Sequence, residues 1–267
     1  VIHPVERGNH SDGSSRIGAL YSLRIMDFWQ TSSYQTCQAL FDRAYPNFRN
    51  AGQVYQDLVG RYITASTRLL DLGSGRCSLA ARQIQPAKLR VGIDPYLGDL
   101  ACNEAIAHPA VALGENLPFR PATFDLIITQ WVMEHLAFPQ RVVSEMARVL
   151  RPGGRIVIFT TNWHNYIPRV SYLIPHRLQV QLVKRLLRRP ERETFPVYYR
   201  ANTRSDIAAI AGESGLEMRH CLHVGNPFYF AFSPALFRVA LGFERLTDIP
   251  RWQDYKLYLL IVLQKSV

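Results

Sequence analysis

One run of eleven residues, Leu69 to Leu79, constrains this chain more than any other. It reads Leu-Leu-Asp-Leu-Gly-Ser-Gly-Arg-Cys-Ser-Leu. Leu69–Leu72 is an apolar run of strand type, Gly73-Ser74-Gly75 is a turn, and Ser78–Ile84 is compatible with a helix. Glycine in such a turn lets the backbone approach a ligand, and the following helix aims its N-terminus at it. A strand–glycine turn–helix unit of this kind is the nucleotide-cofactor corner of a doubly wound α/β sheet.

The residues around the turn narrow the choice of cofactor. A dinucleotide fingerprint needs a third glycine, and Ser78 stands at that position. A phosphate-binding P-loop needs Lys-Ser/Thr after the turn, and none follows. Asp71, two residues before Gly73, would repel a pyrophosphate but pairs well with a cationic ligand. S-adenosylmethionine, with its ammonium and sulfonium groups, suits that corner. Val91-Gly92-Ile93-Asp94 then reads as a second strand ending in an acid, 23 residues after Asp71. An acid there binds the two hydroxyls of a ribose. The competing reading of Asp71 and Asp94 is a pair of helix caps.

Five segments occur together and in order: Asp71-Leu72-Gly73-Ser74-Gly75, Gly92-Ile93-Asp94, Gly114-Glu115-Asn116-Leu117-Pro118-Phe119, Phe124-Asp125-Leu126-Ile127-Ile128-Thr129 and Leu150-Arg151-Pro152-Gly153-Gly154. In this the chain resembles the class I S-adenosylmethionine-dependent methyltransferases, and most of all the broad type 11 small-molecule group. The resemblance runs from Leu69 to Thr161. It implies that Asp71, Gly73, Ser74 and Gly75 hold the methionine end of the cofactor. It also implies that Asp94, followed by Pro95, takes the ribose, that Glu115 and Asn116 frame the adenine, and that Gln130 and Trp131 line the methyl-transfer region. Cys77 stands where the family usually has a third glycine, and Leu113 where many relatives have an aspartate for the adenine amine.

The expected fold class is α/β: a doubly wound, mostly parallel seven-stranded Rossmann-like sheet with an antiparallel last strand. N-terminal helices and a helical, aromatic insertion after strand five complete it. Residues 1–16 read as a flexible tail, 17–66 as a helical cover carrying Phe28, Trp29, Tyr34, Phe41 and Tyr45, and 67–267 as the methyltransferase domain with insertions at 162–202 and 225–252. Asp42 to Ile63 is expected to supply the last helix of the cover. Strands are expected at 69–72, 89–93, 111–113, 124–129, 155–160, 216–223 and 255–265. Helices are expected at 141–150, ended by Pro152-Gly153-Gly154, and at 205–214, capped by Thr203 or Ser205.

Composition bounds the rest. At 267 residues and 48% apolar, the chain can bury a full core. Cys37, Cys77, Cys102 and Cys221 form no C-x-x-C pair, so neither a metal site nor a disulfide framework is expected. Val1-Ile2-His3-Pro4 is not an apolar signal core, and no apolar run approaches the ~20 residues of a membrane span. A cytoplasmic protein is expected. The net charge of +10 favours an anionic partner: nucleic acid, an anionic lipid surface or a phosphorylated substrate.

Arg177–Arg189 places Leu178, Leu182, Val183, Leu186 and Leu187 at helical spacing among basic residues. Such a helix lies peripherally on an anionic membrane, or serves as a lid with a solvated basic face. Nucleic acid is the weaker partner, because aromatics do not interleave with the basic residues as a stacking platform requires. For the chemistry, His135 is the candidate base, one turn past Gln130-Trp131, with Glu134 beside it. His164, Tyr199 and Arg200 are candidate substrate contacts. The function expected is methyl transfer from S-adenosylmethionine to a small-molecule or lipid-linked acceptor, at oxygen. A nucleic-acid methyltransferase and a non-catalytic cofactor-binding relative are the alternatives; a nicotinamide oxidoreductase is disfavoured by Asp71.

Overall fold

The computed structural model describes residues 31–174 and 196–267. The expected tail at 1–16, the cover residues Phe28 and Trp29, and the basic stretch Arg177–Arg189 lie outside them.

Seven strands form one sheet: β1 Arg68–Leu72, β2 Leu89–Asp94, β3 His108–Val111, β4 Phe124–Gln130, β5 Leu150–Thr161, β6 Leu216–Val224 and β7 Tyr258–Lys265. Their order across the sheet is β3-β2-β1-β4-β5-β7-β6. The first five strands pair in parallel, and β7 runs antiparallel to both β5 and β6. Order reverses between β1 and β4, which places the glycine turn after β1 at the topological switch point where such sheets bind ligands.

Strand alternation feeds two cores, one on each face. Leu70, Leu72, Ile127, Ile156, Ile158 and Ile261 face one helical layer. That layer includes α5 (Pro139–Val149), which buries Val142, Val143 and Met146, and α7 (Arg204–Glu213), which buries Ile207 and Ile210. Leu69, Leu126, Ile128, Val157 and Leu260 face the other layer. There α2 (Ala51–Gly60) contributes Tyr55, Leu58 and Val59, and the single turn α3 (Ala81–Ile84) contributes Ile84. A third cluster joins α1 (Ser32–Ala44) to α8 (Pro234–Thr247) through Cys37, Phe41, Phe237 and Leu241. The remaining α-helices among the described residues are the single turn α4 (Leu97–Leu100) and α6 (Tyr166–Leu173).

The structure corrects several element boundaries. Helix α3 starts at Ala81, not Ser78, because Gln130 holds the preceding loop: its Oε1 accepts from Leu79 N at 2.9 Å and its Nε2 donates to the Cys77 carbonyl at 3.0 Å. Strand β3 covers 108–111 rather than 111–113, since Val111 already pairs with Asp94 at the end of β2. The Pro152-Gly153-Gly154 stretch lies within β5, where the register with β4 slips between Leu150 and Arg155 and Gly153 takes φ +73°. Pro46 separates α1 from α2, which begins at the Asn50–Gln53 capping box. Residues Pro250–Tyr255 form a 3-10 turn, so β7 starts at Tyr258.

Candidate active site

The corner after β1 is assembled by backbone conformation first. Gly73 has φ +71° and Gly75 φ +45°, values that favour glycine. The Gly73 and Ser74 amides both donate to the Ile93 carbonyl, at 2.9 and 3.0 Å. A Cβ on Gly73 would lie 2.2 Å from Val132 Cγ2, so the loop after β4 closes directly over the turn. Asn103 donates from Nδ2 to the Ser74 carbonyl at 2.8 Å and supports the turn from behind.

Asp94 closes the corner from β2. Its Oδ2 accepts from Gly75 N at 3.0 Å and its Oδ1 from Tyr96 N at 2.9 Å. The carboxyl is half-buried; desolvation raises its pKa, while these two amides pull it back down. Each carboxylate oxygen keeps a further lone pair for a ligand hydroxyl. Pro95 beside it is exposed.

Asp71 is fully buried in β1, between Gly92 of β2 and Ile128 of β4. Neither of its oxygens has a hydrogen-bond partner, and the same holds for the buried hydroxyls of Ser74, Ser78, Thr129 and Tyr55. Burial raises the Asp71 pKa to about 7; the nearby Ser78 hydroxyl opposes the rise and Asp94 adds to it. The Asp71 charge in turn adds to the burial that lifts the Tyr55 hydroxyl well above its usual range. A buried carboxylate among unpartnered hydroxyls is costly unless a ligand supplies donors or positive charge. These residues therefore fit the ammonium and ribose of S-adenosylmethionine.

The other sequence candidates are placed as follows. Glu115 is half-buried and Asn116 exposed in the loop after β3, and Leu113 is 61% exposed. Gln130 is 7% exposed and spends its amide on the Cys77–Leu79 backbone, so it shapes the loop. Trp131 follows β4 with φ +52°, donates its backbone amide to the Phe159 carbonyl at 2.8 Å and keeps 43% of its surface exposed. Trp131 and Tyr199 (φ +50°) both hold left-handed backbone that is strained for bulky residues.

Beyond β4 and β5 a second group gathers. Glu134 is 5% exposed and accepts from Thr160 Oγ1 at 2.8 Å, and Thr160 in turn accepts from Asn202 Nδ2 at 2.8 Å. Burial raises the Glu134 pKa against the opposing influence of His135 and the threonine hydroxyls. The Glu134 carbonyl accepts from the amides of Tyr198 and Tyr199, which ties residues 198–199 to the 3-10 turn Met133–His135 after β4. Tyr199 packs on Trp163 at 4.8 Å and on Tyr172 at 6.1 Å between centroids. Its hydroxyl is pushed up to about 12, first by burial, then by Glu134 and Tyr229. The His135 Nδ1 lies 2.8 Å from the Pro196 carbonyl. Arg200 donates to the Ala137 carbonyl at 2.7 Å and lies over the Tyr198 ring. His164 stands apart, in a 220 Å³ cavity with Arg204, His223 and Asp254.

Tyr55, Thr129 and Thr160 escaped the sequence reading as site residues. Thr129 and Thr160 carried a signal, a hydroxyl inside an otherwise apolar strand; Tyr55 carried none, since it reaches the corner from the N-terminal cover.

A methyltransferase domain family matches residues 70–158. Residues 70–158, a third of the chain, are thus similar to a methyltransferase domain, the class that the sheet order and the glycine corner after β1 suit. The chain is 31% identical over 117 residues to an uncharacterized methyltransferase of Mycolicibacterium vanbaalenii, covering 42% of this chain and 46% of that protein. It is 29% identical over 185 residues to the biotin biosynthesis bifunctional protein BioHC of Cellvibrio japonicus, covering 60% of this chain and 34% of that protein. The chain thus spans less than half the length of these curated relatives. Among solved structures it resembles geranyl diphosphate C-methyltransferase from Streptomyces coelicolor, bound to Mg²⁺, geranyl diphosphate and S-adenosyl-L-homocysteine. The TM-score is 0.52 at 15% identity, over 80% of this chain and 77% of that one, which is a likeness of fold.

Proposed function

We propose that this chain transfers the methyl group of S-adenosylmethionine to oxygen of a small-molecule or lipid-linked acceptor. The observation that carries the reading is the unpartnered Asp71 carboxylate beside the Gly73–Gly75 turn. When bound, S-adenosylmethionine supplies a methyl group already activated on a sulfonium. Asp71 offers its charge to the ammonium, and Asp94 offers its remaining lone pairs to the ribose hydroxyls. The glycine turn brings backbone within reach of the cofactor, and the loop at Glu115 and Asn116 borders the adenine.

Because the leaving group is already activated, placement of the acceptor supplies much of the rate. Trp163, Tyr172 and Tyr199 pack into an aromatic cluster and Trp131 packs on Phe159, which supports an acceptor with a ring or an apolar chain. His135 is the proposed base: a carbonyl only accepts, so Nδ1 carries the proton toward Pro196 and Nε2 is the basic nitrogen. Tyr199 and Arg200 are the proposed substrate contacts; His164, in its separate cavity with His223 and Asp254, is not placed with them. The proposal includes a cytoplasmic setting and, on sequence grounds, peripheral contact with anionic membrane through Arg177–Arg189. Among the described residues no helix is long and apolar enough to cross a membrane.

Calorimetry with S-adenosylhomocysteine and with NADH tests the cofactor, and release of S-adenosylhomocysteine from the donor in the presence of metabolite and lipid extracts tests the reaction. Binding of the first ligand and a methylated product are expected. Binding of NADH alone would overturn the reading.

A further inference from the structure

Helix α8 is apolar on two opposite faces. Its inner face buries Phe237, Ala240 and Leu241 against α1 and the turn at Pro227–Phe230. At 100° per residue, Ala235, Val239, Gly242, Leu246 and the adjoining Ile249 fall on one stripe facing the other way. Val239 is 72%, Leu246 44% and Ile249 49% exposed. Such a contiguous apolar surface marks an interaction site rather than a scatter of single residues.

The charges beside the stripe select its occupant. Arg238 and Arg245, seven residues apart, lie on one flank; both are exposed and neither is ion-paired among the described residues. The acids of this region are engaged elsewhere. Glu244 is buried, accepts from Asn226 N and pairs with Lys256. Asp248 accepts from Tyr45 and pairs with Lys256. A second copy docking on this stripe would set arginine against arginine with no acid between them. Exposed aromatics flank the helix in sequence: apolar Phe232 before it, and Trp252 and Tyr255 after it, amphipathic rings of the kind enriched at a lipid–water boundary.

We propose that the outward face of α8 rests on an anionic lipid surface, with the Val239–Leu246 stripe in the interface and Arg238 and Arg245 at the headgroups. The site is independent of the methyl-transfer reading, since a vesicle assay reads no chemistry. Its residues are different ones from the Arg177–Arg189 stretch.

Flotation of the full chain with phosphatidylcholine vesicles, with and without phosphatidylglycerol, tests the proposal. The parent is a chain in which Lys184, Arg185, Arg188 and Arg189 are each changed to Gln, so that binding reports on α8. That parent should bind the anionic vesicles and lose binding as salt is raised. Arg238→Gln with Arg245→Gln should weaken binding by about tenfold or more, and Val239→Glu with Leu246→Glu should do at least as much. Unchanged binding in the arginine pair, whose exposed side chains can be replaced without loss of the fold, would overturn the proposal. So would absence of binding by the parent. A dimer in light scattering that Val239→Glu dissociates would assign the face to a second copy instead. A large fall in melting temperature for Val239→Glu in the absence of lipid would assign it to the chain's own residues.

Discussion

The amide of Gly75 donates to Oδ2 of Asp94 at 3.0 Å, so the glycine turn after β1 and the acid ending β2 are one unit. Ligand contact and loop geometry cannot be separated at this carboxylate. Asp94→Ala removes the acceptor of two backbone amides and both proposed ribose contacts. Hydrogen bonds to a charged group are worth about 1.5–3 kcal/mol each. The S-adenosylhomocysteine Kd should therefore rise by roughly ten- to a hundredfold or more. Asp94→Asn, which keeps one acceptor oxygen, should lose less. Calorimetry on the three proteins checks the order, and equal affinities would refute the ribose role.

Gly73 and Val132 make the tightest approach in the corner, with a virtual Cβ at 2.2 Å from Cγ2. Gly73→Ala adds that clash to a backbone at φ +71°, where an L-residue costs about 1–2 kcal/mol. Overpacking typically costs a further ~1–3 kcal/mol. The melting temperature should fall by several degrees, and Val132→Ala in the same chain should recover the steric part and leave the conformational part. A full recovery would show that φ at this position carries no strain.

Much of this corner was legible before the structure, because its chemistry is local. Asp71, Gly73, Gly75 and Asp94 sit within 24 residues, and strand alternation fixes which ends they occupy. What was not legible depends on contacts across the fold. Gln130 read as a ligand contact, yet its amide reaches back 51 and 53 residues to Leu79 and Cys77, a pairing that no spacing rule contains. The same pairing moved the start of α3 to Ala81. Strand β3 shifted because register with β2, not the Val111–Leu113 pattern, decides where pairing stops. Tyr55 reaches Asp71 from a helix before the first strand, so only tertiary packing brings them together. His164 was grouped with Tyr199 by insertion, and β5 instead delivers it to the side nearer β6.

Gln130 gives a prediction that separates shaping from contact. Gln130→Ala removes two hydrogen bonds from a site 7% exposed, at a cost of about 1–3 kcal/mol for buried groups left unpaired. Stability and cofactor affinity should both fall. Trp131→Ala, next in sequence and 43% exposed, should cost less stability and chiefly raise the KM for the acceptor. Melting curves beside steady-state kinetics distinguish the two. If Gln130→Ala left the melting temperature unchanged while weakening the cofactor, the side chain would be a direct contact.

Asp71 sets the pH dependence of the site. Its folded pKa, about 7, lies above the ordinary carboxylate value of 3.8 because the carboxyl is buried. The folded state without ligand therefore binds the proton more tightly than the unfolded state, and this group's contribution to stability falls as pH rises from about 4 to about 7. Asp71→Asn removes that penalty, so above pH ~7 the variant without ligand should melt higher than the parent, while near pH 4 the difference should shrink. Cofactor binding runs the other way. The ammonium of the methionine end needs the carboxylate, so affinity for S-adenosylhomocysteine should rise as pH increases toward the Asp71 pKa, and binding below it should release a proton. Calorimetry in buffers of differing ionisation enthalpy measures that proton directly. In Asp71→Asn the proton release should vanish and affinity should be low at every pH. Proton release that persisted in the variant would place the titrating group elsewhere.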